Sequence, residues 1–167
     1  MSTLKTTNVQ HPSAADPAIE LDAAGKLWLA GGKVLQIVRA TDTTDQSTTS
    51  TTFVDVTGVS VTITPQKSTS AVLIISSFWV AAFGHTDNQA FLQITDSSNN
   101  PISGAESLQL GDGAAVLRQQ PFVIARATPA TTSAVTYKLR FKNNGAGTVA
   151  INGSGVTTQM YAIEVSA

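Results

Sequence analysis

Ala134-Val-Thr-Tyr-Lys-Leu-Arg-Phe-Lys142 alternates without a break. Val135, Tyr137, Leu139 and Phe141 are apolar or aromatic, and Thr136, Lys138, Arg140 and Lys142 are polar. Successive side chains of an extended backbone point to opposite faces, so this period of two predicts a strand with one face on a core and the other in water. Tyr137, Leu139 and Phe141 are expected on the core face. Asn143-Asn-Gly-Ala-Gly147 follows at once and is a strong turn signal. Beyond it, Thr148 to Asn152 and Thr158 to Val165 read as the closing strands, with Tyr161 in the last as a packing residue.

The same pattern extends toward the N-terminus. Val59, Val61 and Ile63 alternate with Ser60, Thr62 and Thr64, and Pro65 ends the run. Val34 to Ala40 and Phe53 to Val56 read as further strands, with Thr41 to Thr52 a polar loop or edge strand between them. Ala71 to Phe83 is apolar and aromatic except for Ser76 and Ser77, which predicts a central strand buried on both sides. Its aromatic residues Phe78, Trp79 and Phe83 are expected to pack in the core or in an interface between copies. Ala90 to Thr95, Ile102 to Leu110 and Ala114 to Ala127 complete the set, with Asp96-Ser-Ser-Asn-Asn-Pro101 a turn whose side chains bond their own backbone. Eight to ten strands, turns every 8–12 residues and no amphipathic helix predict an all-β chain: an antiparallel β-sandwich, as a jelly roll, over residues 33–167.

Residues 1–32 differ from this body. Pro12 and Pro17 hold their neighbours extended. Ile19-Glu-Leu21 and Lys26-Leu-Trp-Leu29 flank Asp22-Ala-Ala-Gly25, the pattern of a short hairpin. A lone hairpin is marginal in water, so Leu21, Leu27, Trp28 and Leu29 require a surface to pack on. The prediction is an extended N-terminal arm carrying a hairpin, joined to the body at Gly31-Gly32.

Composition narrows the chemistry. Only 13% of the 167 residues are charged and the formal net charge is −1, against roughly a quarter charged in average proteins. Nucleic-acid binding needs clustered cations, and none are present. The absence of cysteine excludes disulfides and thiol catalysis. No signal peptide and no apolar run long enough for a bilayer is apparent.

His85, in a polar turn, has Asp87 nearby but no nucleophile motif. His11 precedes Pro12 in the arm and reads as a capping or packing residue. The Asp96 loop has Pro101 and Ser107 where a calcium loop needs Gly and Glu. Asn152-Gly-Ser154 matches a short glycan-acceptor pattern. No catalytic residue, metal ligand or cofactor is expected, and function is expected to lie in surfaces.

The arm Leu4-Lys-Thr-Thr-Asn-Val-Gln-His-Pro-Ser-Ala-Ala-Asp-Pro-Ala-Ile-Glu-Leu-Asp-Ala-Ala-Gly-Lys26 resembles the N-terminal segment of fibre-like and minor structural virion proteins of marine and freshwater tailed bacteriophages. Val34-Leu-Gln-Ile-Val38, the run Thr48 to Pro65 and the closing Gln159-Met-Tyr-Ala-Ile-Glu-Val165 are similar to the module that follows that segment. The resemblance implies a non-enzymatic virion protein, made in the host cytoplasm and homotrimeric. It implies anchoring to other virion proteins, tail or major capsid, through arm residues including Val9, His11, Pro12, Pro17 and Ile19. It also implies a projecting body that contacts the host, with a surface glycan as one partner class. Fibres of this kind are often longer, with repeats or a coiled-coil shaft, and neither is visible here; a short fibre-like component and a capsid decoration protein both fit. A jelly-roll carbohydrate-binding module is the third reading.

Overall fold

The computed structural model describes residues 8–9, 19–21, 27–29, 33–111 and 116–166. In the body, eight chain segments build two facing sheets. β4 (Val34–Asp42) runs on into β5 (Gln46–Thr48), β7 (Ala71–Ser77) into β8 (Val80–Phe83), β11 (Val116–Gln119) into β12 (Phe122–Ala127), and β14 (Thr148–Ile151) into β15 (Thr158–Val165). These four double segments lie in the order β12-β7-β15-β4 and, past a bend, β11-β8-β14-β5. The opposing sheet is β10 (Leu108–Leu110), β9 (Ala90–Asp96), β13 (Val135–Asn143) and β6 (Val54–Ile63), in that order. All pairings are antiparallel. With the eight segments numbered along the chain, one sheet reads 1-8-3-6 and the other 2-7-4-5. That double Greek key is the jelly roll.

The core lies between the sheets. Tyr137, Leu139 and Phe141 are buried at 3%, 0% and 2% exposure, on the face that alternation assigned to them. They meet Val56, Val59, Val61 and Ile63 of β6 and Val72, Ile74, Met160 and Ala162 from the opposite sheet. The buried positions of β6 skip from 56 to 59 because the register against β13 shifts between Lys138 and Arg140. Gly58 sits in that bulge at φ +80, where a Cβ would also strike the Asp42 carboxylate. Phe53 to Ile63 is thus one bulged strand preceded by a short lead, rather than two strands.

Other expectations also need correction, among them Ala114 to Ala127, which is two strands, β11 and β12, rather than one. The run 71–83 is not one strand: it breaks at Phe78 and Trp79, where Phe78 N–H donates to Pro121 O at 3.3 Å and its ring drops into the core. Nor is it buried on both sides, since its residues alternate between buried and half-exposed until Ser77. The predicted strand Ile102 to Leu110 is a strand only over Leu108–Leu110; before it the chain turns beside β9, with a bridge from Pro101 to Thr95, Ile102 N–H donating to Ile94 O at 2.9 Å and Ile94 N–H donating to Ala105 O at 3.0 Å. Asn152 is no glycan acceptor: it is fully buried, its amide donates to Thr44 O at 3.1 Å and its carbonyl accepts from Thr158 Oγ1.

In the arm, β1 (Asn8–Val9), β2 (Ile19–Leu21) and β3 (Leu27–Leu29) form a separate antiparallel sheet in chain order. The hairpin register is Ile19 to Leu29, Glu20 to Trp28 and Leu21 to Leu27, with Val9 opposite Ile19. His11, Pro12, Pro17 and the turn at 22–25 lie outside the described residues. At the body's entry, Lys33 N–H donates to Ser166 Oγ at 3.1 Å and Ser166 N–H to Lys33 O at 2.9 Å, so the arm joins the body beside its last strand.

Candidate assembly interface

The two outer faces of the sandwich differ in chemistry. On the β10-β9-β13-β6 sheet, Asp55 takes Lys138 Nζ at 2.9 Å and Arg140 Nε at 2.7 Å, and Arg140 also donates to Phe53 O. Burial alone would raise the Asp55 carboxyl, but the two cations outweigh it and hold it below its usual range. Thr62 and Thr136 share a hydroxyl hydrogen bond at 2.8 Å, and Lys142 lies about 5 Å from the rings of Phe53 and Phe91. The charges here are satisfied by their own chain, as on a surface that faces water.

The opposite face, on the β12-β7-β15-β4 sheet and its β11-β8-β14-β5 extension, is apolar. Register sets its rows. Ile124, Ile75, Tyr161 and Arg39 stand side by side, and the next row is Arg126, Leu73, Ile163 and Ile37. Beyond lie Val165 paired with Val34 at one end, and Phe122 and then the row of Val116 and Phe83 toward the other. Every large apolar residue of the described chain that is strongly exposed belongs to this face: Val34, Ile37, Phe83, Val116, Phe122 and Ile124. Phe122 is 64% exposed and Ile37 59%. Four strands about 4.8 Å apart and eight residues of β15 give about 500 Å² of flat area. Its centre is mainly apolar, with Arg39 and Arg126 at its borders and Ser77, Gln159 and Thr41 in the next row, and clustered exposed hydrophobics of this kind suit a contact surface.

Tyr137, the one phenol in the core, is pushed up to about 12 by burial and then by the Asp96 carboxylate, so it stays protonated. A cleft of about 460 Å³ at the end of the sandwich is lined by Asp96, Arg126 and Pro101 among others. Its carboxylate is engaged, accepting from Asn100 Nδ2 at 2.8 Å and from the Ser98 and Asn100 N–H groups, which together hold Asp96 below its usual range against burial. His85 lies on the surface and accepts the Asp87 N–H at Nδ1. Among the described residues no group of three or more His, Asp or Glu is placed to hold a metal.

Of the packing residues singled out in the sequence, Tyr137, Leu139 and Phe141 lie in the core from β13, and the others divide between the two sides of the apolar sheet and its bend. Phe78 is core, whereas Phe83 and Tyr161 stand on the outer face; Tyr161 carries the Arg39 guanidinium 5.6 Å from its ring centre. Trp79 is half-buried against Gly153 at the bend. Val34, Ile37, Val116, Phe122 and Ile124 were missed. Their signal is an apolar residue at both parities of one strand, as in Val34-Leu-Gln-Ile-Val38 and Phe122-Val-Ile124.

No protein-family model matches the chain, and no curated protein sequence matches it. Among solved structures it is similar to the VP2 subviral particle of infectious bursal disease virus, with a TM-score of 0.38 and 14% identity. That match covers 91% of this chain and 43% of the other, so the chain spans under half of that protein's length. A likeness of this strength carries no argument; the jelly roll is established by the strand order itself.

Proposed function

We propose that the chain is a non-enzymatic structural protein of a tailed-phage particle: a homotrimeric fibre-like component held to the particle by its arm, with the jelly roll as the projecting body. The observation that carries the assembly part of this reading is the apolar outer face, which gathers the six strongly exposed large hydrophobics of the described residues, while on the other sheet Asp55, Lys138 and Arg140 pair among themselves. Packing that face around a symmetry axis removes it from water and leaves the polar sheet outside. The virion part rests on the ordered resemblance of the arm, the Thr48–Pro65 run and the closing strand to phage structural proteins. The arm's own small antiparallel sheet suits a docking element, because three strands of two or three residues do not hold a core alone.

Deleting residues 1–30 tests the anchor. The truncated chain is expected to remain a folded trimer in solution and to be missing from particles that the full chain enters. Normal incorporation of the truncated chain refutes the arm as anchor. Counting copies by quantitative mass spectrometry of purified particles tests the location: few copies at the tail fit a fibre-like component, and hundreds on the head replace it with a capsid decoration protein.

A further inference from the structure

The apolar face carries charge of one sign. Its outward charged residues are Arg39, Arg118 and Arg126, and Glu164, the acidic residue of β15, points inward and is fully buried. Arg39 is occupied by Gln159 at 2.8 Å and by the Tyr161 ring. Arg118 and Arg126 are exposed on the edge segments β11 and β12 and make no ion pair among the described residues. Two such faces stacked on one another by a two-fold axis would confine cations without a counter-charge, which is unfavourable. A cyclic arrangement with the strands along its axis differs in kind. Each copy's β11/β12 edge then meets the β4/β5 edge of the next copy, so unlike edges touch.

The unlike edges here carry unlike charge. The turn joining β4 to β5 holds Asp45, exposed and in no ion pair among the described residues. The ladder Arg118–Ala81–Ala150–Ser47 puts Arg118 level with Ser47 across the whole sheet. Asp45 is two residues further along, about 7 Å, within the span of an arginine side chain. Rotation about an axis parallel to the strands preserves height. We infer that copies of this chain associate head-to-tail in a closed ring about such an axis, the β11/β12 edge of one copy against the β4/β5 edge of the next, with Arg118 facing Asp45 across each junction. The inference rests on the proposed homo-oligomer and adds its direction and its polar contact.

Charge reversal tests it on the full chain. Arg118→Glu and Asp45→Arg are each expected to raise the concentration of half-dissociation about tenfold, and the double variant to return to within about threefold of the parent. Both sites are exposed, and unchanged far-UV circular dichroism checks the fold. Because the chain has no cysteine, Arg118→Cys with Asp45→Cys is expected to give disulfide-linked dimers and trimers on oxidation, and neither single variant a trimer. Singles without effect, a double variant no better than the singles, or dimers as the sole oligomer overturn the ring. If Phe122→Ala still weakens the oligomer while the reversals do nothing, the apolar face stands and the edge contact falls. A parent chain that stays monomeric at every concentration overturns both.

Discussion

Truncating Phe122 to alanine separates assembly from folding. The ring stands on the outer face of β12, opposite Ser77, and is 64% exposed in the single chain. Complete burial of a Phe side chain is worth about 1.5–3 kcal/mol, so covering the exposed two thirds contributes about 1.5 kcal/mol per copy. Three copies lose about 4.5 kcal/mol per trimer, or about three decades in the association constant. The half-dissociation concentration of a trimer follows the square root of that constant, so it is expected to rise about 40-fold. The isolated copy loses little, because an exposed ring contributes within about 0.5 kcal/mol to its own fold. Sedimentation velocity over a dilution series reads the first quantity, and thermal unfolding at a concentration below dissociation reads the second. A shift under about threefold in a chain that does form trimers refutes the placement of Phe122 in the contact. A large drop in monomer stability instead would mean that the ring supports the fold.

Two further expectations concern the core. Leu139→Ala empties a fully buried site between the sheets and is expected to cost about 2–5 kcal/mol in denaturant unfolding; a cost below about 0.5 would remove Leu139 from the core. Glu164 is buried, and burial alone would raise its carboxyl, but hydrogen bonds from Gln36 Nε2 at 2.6 Å and from the Gln66 and Lys67 N–H groups more than compensate and hold it below the usual range. A depressed carboxyl stabilises the fold above its unfolded value and loses that contribution as pH falls through the folded one. Stability should therefore decline in acid below about pH 4.5. Glu164→Gln should flatten that acid limb and cost about 1–3 kcal/mol at neutral pH, since its amide meets donors where the carboxylate met them as acceptor; an acid limb that stays as steep in the variant refutes the assignment.

Where the chain's own contacts decide a position, alternation was enough to place it. Tyr137, Leu139 and Phe141 are buried and Lys138 and Arg140 lie outside because β13 has one wet face and one dry face, both visible in its residues. The turns at Asp96 and Asn143 were legible for a similar reason, since their side chains bond the backbone within four residues. Long-range register was not legible. The bulge at Gly58 and the break at Phe78 depend on which strand lies alongside, and neither β13 nor Pro121 is near them in the chain. The pairing of Asn152 with Thr44 and Thr158 likewise removes a glycan-acceptor pattern that three consecutive residues satisfied.

The run 71–83 shows where such reading stops and what it still contains. Apolar residues at both parities predict burial on both sides, yet in the β7 part of the run only Val72, Ile74 and Ser76 are fully covered by this chain; Leu73 looks out beside Ile163, and Ile75 beside Ile124 and Tyr161. The same double-sided pattern recurs in β4 and β12, and these strands share a sheet with β7. Had it arisen separately in each strand, the outward apolar residues would scatter over both sheets. The strongly exposed ones among the described residues collect on one, while on the other sheet β13 alternates, and β6 does so on either side of its bulge, around Asp55, Lys138 and Arg140. Burial predicted from residue type is therefore unmet by one copy of the chain, and unmet on a single continuous surface. That is the pattern expected when the missing half of the burial belongs to a second molecule.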